Sequence, residues 1–374
     1  MIDLKQYGYI ETEKPDDGLV PARVTAVHRE RYDLISSEGI KYGKLKTSVY
    51  YGREPHPFPT VGDFVLIKDA SSGDAQIVQT LSRKSSFSRK KVDGKDTLIV
   101  ETLPRKSYFS RMDPKPGGYT EQAVAANFDT VFIMQSLNQN FNLRRLERYL
   151  TLTWQSGATP VIILTKVDLI DDPSKQLQQV EEIAAGVDVV ATSAITGSGL
   201  EKLEKYLKPG KTCVFLGSSG VGKSSLLNTL MGEDVMLVKE IREDDARGRH
   251  TTTHREMFTL PCGAHIIDTP GMREIGMWEN ESGELNSSVS DVFADVEEHL
   301  GACKFSDCRH ESEPGCAIKA AIENGDFTQG RWESYLKLKR EALYAEDKLA
   351  AMRDRSAKSV ELQTWWRNRN KEIW

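Results

Sequence analysis

From residue 18 onward, apolar and polar side chains alternate with a period of two. Val20, Ala22, Val24 and Ala26 fall on one face of a strand, residues 32–35 form a second strand after a charged turn, and residues 61–67 form a third. Short strands separated by turns over about a hundred residues point to a small closed barrel, and an OB-fold is the expected form. The pattern changes at Asp129. Apolar runs at 130–134, 161–164, 187–190, 211–216 and 265–267 are too short for helices, and most are separated by helical stretches such as 143–154 and 173–183. That alternation predicts a mainly parallel, doubly wound α/β sheet with its ligands at the carboxyl ends of the strands. From residue 330 the pattern is helical again.

The run at 211–216 leads into Gly217-Ser218-Ser219-Gly220-Val221-Gly222-Lys223-Ser224, and a helical stretch that includes Ser225 follows. Strand, G-x-x-x-x-G-K-S and helix together make a phosphate-binding loop in its required context. The glycines let backbone N–H groups turn inward around an anion, and the helix adds its positive end. Lys223 is expected between the β- and γ-phosphates, in a catalytic role, with the Ser224 hydroxyl on Mg²⁺.

Three further motifs end strands. Thr165-Lys166-Val167-Asp168 supplies a carboxylate that can accept from the ring N–H and exocyclic amine of guanine, and this selects GTP over ATP. Thr192-Ser193-Ala194 is the second expected base-contacting element. Asp268-Thr269-Pro270-Gly271 places a carboxylate to reach Mg²⁺ through water and an N–H at Gly271 to meet the γ-phosphate. Thr251 and Thr252 lie in Gly248-Arg249-His250-Thr251-Thr252-Thr253, between the loop and Asp268, and offer hydroxyls to the metal. These are the GTPase motifs in rotated order, with base recognition ahead of the phosphate loop. A sheet whose termini lie close tolerates such permutation.

Composition refines this reading. The 374 residues carry a net charge of −5, yet residues 82–118 hold ten Lys/Arg against four Asp/Glu, and residues 331–374 hold eleven against seven. Within the first basic stretch Arg83-Lys84-Ser85-Ser86-Phe87-Ser88-Arg89 returns as Arg105-Lys106-Ser107-Tyr108-Phe109-Ser110-Arg111. The cations can meet RNA phosphates or form a solvated face, and the sequence leaves both open. Phe87 and Phe109 are expected in the core. The chain ends in a Trp-rich tail with Trp365, Trp366 and Trp374. No run is long enough to span a bilayer and no secretory signal opens the chain, so a cytoplasmic protein without membrane contact is expected. Cys303, Cys308, His310 and Cys316 would complete a closed tetrahedral zinc site, structural in character, with unpaired reduced thiols or a disulfide as the competing readings.

Barrel, permuted GTPase motifs and Cys/Cys/His/Cys finger together resemble the bacterial small ribosomal subunit biogenesis GTPase family, over residues 18–340. The resemblance implies an OB-fold, one structural zinc, GTP hydrolysis stimulated by the small ribosomal subunit, and action in late subunit maturation with rRNA as partner. Residues 122–129 resemble the segment that leads into that family's GTPase domain, whereas the first basic repeat at 83–89 and residues 90–102 read as an insertion, and the Trp-rich tail has no counterpart in the pattern. Expected domains are a flexible tail at 1–17, the OB-fold at 18–118, the permuted GTPase domain at 119–285, and a zinc-binding helical domain at 286–374. A monomer is expected. Met272 follows Gly271 where many GTPases carry a water-orienting Gln, so another group must act. His250 is the candidate, placed by the resemblance in the segment that closes over the γ-phosphate. Two other functions compete: a GTP-sensing ribosome-binding module with incidental turnover, and a P-loop kinase. The Thr165–Asp168 motif counts against the kinase.

Overall fold

A computed structural model describes residues 2–10, 19–28, 31–45, 58–69, 75–80, 107–112, 121–138, 140–236, 255–268 and 285–344. The chain divides into two compact units. One comprises residues 1–111 and 121–275, the other residues 112–120 and 276–374.

In the first unit β1 (Val20–Val27), β2 (Tyr32–Ser36), β3 (Gly39–Leu45), β4 (Phe64–Asp69) and β5 (Ala75–Thr80) pair in the order β1-β2-β3-β5-β4, and a β1–β4 pairing closes the ring. All of these pairs are antiparallel except β3 with β5. The period-two pattern puts Ala22, Val24, Leu34, Val65 and Ile67 inside. β1 pairs with β4 from Val20 to Arg23, and its register against β2 shifts between Val24 and Ala26. Such an irregularity re-aims a strand, and Ala26 and Val27 go on to pair with β12 (Arg255–Thr259). Gly62 lies where β1 meets the segment before β4. Its φ is +91° and a Cβ there would sit 2.1 Å from the Ala126 carbonyl oxygen, so no other residue fits. β6 (Tyr108–Met112) and β7 (Glu121–Ala126) form a separate two-stranded sheet. Phe109 is buried there and stacks on Phe128 at 5.0 Å, a core residue as the pattern predicted. Phe87 and the first basic repeat lie outside the described residues, as do Arg105, Lys106, residues 90–102 and the Trp-rich tail.

The α/β part runs β8 (Thr130–Ser136), α1 (Leu143–Gln155), β9 (Thr159–Thr165), α2 (Ser174–Ile183), β10 (Asp188–Ala191), β11 (Thr212–Gly217), α3 (Lys223–Met231), β12 and β13 (His265–Asp268). The strand order is β10-β9-β8-β11-β13-β12, parallel except for β12, and the β12–β1 pairing joins it to the barrel strands in an 11-stranded sheet. Phe132, Met134, Val161, Ile163, Cys213 and Phe215 alternate onto one face and pack against Leu226 and Leu227 of α3. At about 25 cal/mol per Å², this buried apolar layer is the main force seating α3 behind its loop. The chain moves outward from β8 to β10 and returns to the other side of β8 at β11. The crevice between β8 and β11 is therefore the topological switch point, where ligands of open α/β sheets bind.

The N-terminal tail expected from the polar composition is in part built in. Leu4–Tyr7 forms a single 3₁₀ turn with Leu4 buried. Two side chains hold the turn. Arg23, 1% exposed, donates to the carbonyls of Tyr7, Gly62 and Asn127 and to the Thr212 hydroxyl. His265 stacks on Tyr7 at 4.7 Å and reaches the Gln6 carbonyl at 3.0 Å.

The second unit is helical, with α4 (Leu285–Val292), α5 (Ala294–Glu297), α6 (Ala317–Asn324) and α7 (329–344). Arg331 fixes α7 to α5 through two bonds to the Asp295 carboxylate, lies 4.7 Å over the Phe293 ring and donates to the Val292 carbonyl. A forked pair of this kind has the directional strength a lone surface ion pair lacks. No described helix is long and apolar enough to cross a membrane.

Candidate nucleotide and metal sites

The phosphate loop is set by its flanks. β11 is buried throughout and ends at Gly217, where a Cβ would stand 2.9 Å from the Met134 carbonyl oxygen, so the loop leaves the sheet pressed against β8. Gly220 and Gly222 adopt φ of +73° and +104°, the left-handed region that glycine enters freely. α3 then starts at Lys223, with Ser224 and Ser225 half-buried in its first turn. Lys223 Nζ donates to the carbonyls of Gly217 and Ser218, each at 2.8 Å, which draws the ammonium across the loop. Backbone N–H groups in left-handed turns, a helix N-terminus and a lysine over the same loop form an anion cradle.

β9 and β10 bring the two base-recognition motifs to the same sheet edge. The Thr165 hydroxyl is buried and donates to the Val221 carbonyl at 2.6 Å, which ties the Thr-Lys-x-Asp motif directly to the phosphate loop. Lys166 sits in the left-handed region at φ +62°. Burial lowers its pKa, against the opposing pull of Asp168. Asp168 is exposed at the rim, where a ligand can reach it. Val167 N–H donates to the Thr192 carbonyl, which joins the two motifs. Ser193 is buried, and its hydroxyl accepts from the N–H groups of Ile195 and Thr196. The Ala194 carbonyl accepts from Thr229 of α3 at 3.1 Å. Asp268 ends β13 beside Phe215 of β11 and is 7% exposed. His250, Thr251, Thr252 and Gly271 lie outside the described residues.

A fourth strand end also reaches the loop. After β8, Asn140 donates through Nδ2 to the Ser218 hydroxyl at 2.9 Å. The signal was in the sequence: Asn138, Asn140 and Asn142 crowd the turn between an apolar strand and a helix, and Asn142 caps α1 by accepting from the Arg145 N–H.

In the second unit the ligand atoms of Cys303, Cys308, His310 and Cys316 all lie within 4.8 Å of one another. His310 Nδ1 is 3.5, 3.7 and 3.4 Å from the sulfurs of Cys303, Cys308 and Cys316. A tetrahedron with Zn–S of about 2.3 Å and Zn–N of about 2.0 Å has N···S edges of roughly 3.5 Å, so the donor set fits that ion. His310 takes φ +63°, in the left-handed region that few residues other than glycine enter. Trp332 covers the imidazole edge-on at 5.4 Å. The Ala317 N–H donates to Cys303 Sγ and lowers that thiol's pKa. Sequence reading missed Glu313, whose carboxylate accepts from the N–H groups of Arg309, Glu311 and Ser312 and closes the knuckle between the ligands. Those bonds hold its pKa at about 2.

Comparison with known proteins agrees with this geometry. The family model described as RsgA GTPase matches residues 102–278. Small ribosomal subunit biogenesis GTPase RsgA 2 of Listeria monocytogenes is 45% identical over 344 residues, which cover 91% of this chain and 90% of that one. The protein of that name from Lactiplantibacillus plantarum is 41% identical, with 92% and 90% covered. Among solved structures, YjeQ from Thermotoga maritima is 27% identical with a TM-score of 0.56, covering 87% of this chain and 99% of that one. YloQ, described as a circularly permuted GTPase, is 22% identical with a TM-score of 0.54 over 90% of this chain and 99% of its own, and it supports the fold alone. With such identity sustained along nearly the whole length, and a phosphate loop that follows the strands it would ordinarily precede, the chain belongs to the RsgA GTPase family.

Proposed function

We propose that this protein binds the small ribosomal subunit and hydrolyses GTP to GDP and phosphate during late subunit maturation. The observation that carries the proposal is the Thr165–Val221 bond, which makes the base-recognition and phosphate motifs one site despite their permuted order. Asp168 would accept from guanine, with Lys166, Thr192, Ser193 and Ala194 around the base. Gly217 to Ser225 would hold the phosphates, with Ser224, Thr251, Thr252 and Asp268 serving Mg²⁺ and Gly271 the γ-phosphate. Bound magnesium would neutralise charge between the β- and γ-oxygens. His250 would orient water. The Cys303/Cys308/His310/Cys316 set would hold one structural zinc. The closed ring with its single parallel pair, β3 with β5, supports an OB-fold as the RNA-binding module. The names of the relatives support the small subunit as partner, and its rRNA would meet the basic stretch around Arg105. The site of action would be the cytoplasm.

Multiple-turnover phosphate release, with and without purified small subunits, tests the function. A large stimulation by the subunit is expected. GTP-dependent subunit binding without stimulated turnover would favour the competing reading, a nucleotide-sensing module.

A further inference from the structure

Ser218 is 4% exposed and lies second in the phosphate loop, and a hydroxyl so placed needs a bonding partner inside the protein. Asn140 Nδ2 supplies one at 2.9 Å, from a residue 78 positions away. The orientation of that amide is fixed on its other side. Arg145 Nη2 donates to Asn140 Oδ1 at 3.0 Å and to the Asn140 carbonyl. A guanidinium offers donors only, so the amide oxygen must face Arg145 and the NH₂ must face Ser218. Arg145 also reaches Gln135 Oε1 at 3.3 Å, its own N–H is held by the Asn142 cap, and the Asn140 N–H is held by Asn138 Oδ1 at 3.0 Å. Every group that aims Asn140 is thereby tied to β8 or α1. Ser218 is also the residue whose carbonyl accepts from Lys223.

We propose that Asn140 and Arg145 are positioning residues for the phosphate loop, a clamp that pre-organises its backbone N–H groups for the phosphates of a guanine nucleotide. The clamp occupies the switch point between β8 and β11, and it acts through the Ser218 hydroxyl. Asn140 meets the loop at Ser218, and the loop holds the phosphates that GDP and GTP share, so the clamp serves both nucleotides. Pre-organisation raises affinity by removing the cost of ordering the loop on binding. The inference rests on the nucleotide-site reading of residues 217–225.

The test is a double-mutant cycle in nucleotide affinity, read by fluorescence titration with labelled GDP and labelled non-hydrolysable GTP, on full-length protein. Asn140→Ala and Ser218→Ala should each weaken both nucleotides about 5- to 10-fold, the loss of one to two hydrogen bonds. The double variant should be no weaker than either single variant. Arg145→Lys keeps the charge but is shorter and loses the Nη2 bonds to Asn140 and Gln135, so it should weaken binding as much as Arg145→Ala does. Urea midpoints should fall in Asn140→Ala, which strands the buried Ser218 hydroxyl, and recover when Ser218→Ala is added, whereas the loss of affinity should not recover. Losses that multiply in the double variant, wild-type affinity in Asn140→Ala, or full rescue by Arg145→Lys would overturn the proposal. Failure of the wild type to bind either nucleotide would overturn the underlying site reading instead.

Discussion

Acidifying the protein from about pH 7.5 to about pH 5.5 tests the packing that joins the N-terminal turn to the α/β sheet. His265 is 1% exposed, with Nε2 3.0 Å from the Gln6 carbonyl and Nδ1 3.0 Å from the Thr259 hydroxyl. A carbonyl only accepts, so Nε2 carries the proton and Nδ1 accepts from Thr259: the ring is built for the neutral form. Burial lowers its pKa from 6.5 to about 4. The Gln6 carbonyl opposes that shift, and the charge of Arg23 adds to it. With the folded value below the unfolded one, the unfolded chain binds more protons on acidification. The stability contribution is therefore complete above pH 6.5 and is lost as pH falls towards 4. At roughly 1.4 kcal/mol per unit the full loss is about 3 kcal/mol, of which about 1 kcal/mol is gone by pH 5.5. His265→Gln keeps one donor and one acceptor but does not titrate. Urea unfolding of both proteins at the two pH values isolates the effect, because carboxylate titrations cancel in the difference. The wild type should lose about 1 kcal/mol more than the variant. Equal losses would show that His265 is not buried neutral against Gln6.

Metal analysis of purified protein should find one zinc per chain, and Cys308→Ser should lose it together with the local fold of the second unit, because metal binding and folding are coupled at such sites. His250→Ala should retain GTP affinity and subunit binding but lose most of the subunit-stimulated phosphate release, while the slow basal rate changes little. Full stimulation in that variant would remove His250 from the mechanism. A triple alanine variant at Arg105, Lys106 and Arg111 should bind small subunits more weakly and with a shallower dependence on salt. An unchanged slope would leave these charges as a solvated face.

Much of this architecture could be read from residue order because short-range physics fixes it. The apolar runs at 130–134 and 161–164 became β8 and β9 because fully buried parallel strands need side chains that are apolar on both faces. The phosphate loop was legible because only glycine tolerates φ of +104° at residue 222. Strands β3 and β12 went unread for the opposite reason. β3 carries Lys41, Lys44 and two glycines, and β12 opens on Arg255 and Glu256 and is held between its neighbour β13 and β1, more than two hundred residues away. Arg23 is a polar position between Ala22 and Val24, and nothing local foretells that four acceptors from distant segments will surround it. Asn140 was missed in the same way. Its partner Ser218 belongs to a motif whose own residues drew all the attention, and the contact exists only once β8 and β11 lie side by side.

If strand ends in permuted order build one guanine-nucleotide site, nucleotide preference must depend on Asp168. Titrations of GTP, ATP and xanthosine triphosphate should be run on wild type and on Asp168→Asn. Asp168 is exposed at the rim, so the exchange should leave the fold intact. Wild type should bind GTP and reject ATP, whereas Asp168→Asn should weaken GTP and gain the xanthine nucleotide, whose hydrogen-bonding edge an amide can match. Full GTP affinity in the variant, with none gained for xanthosine triphosphate, would show that Asp168 does not read the base.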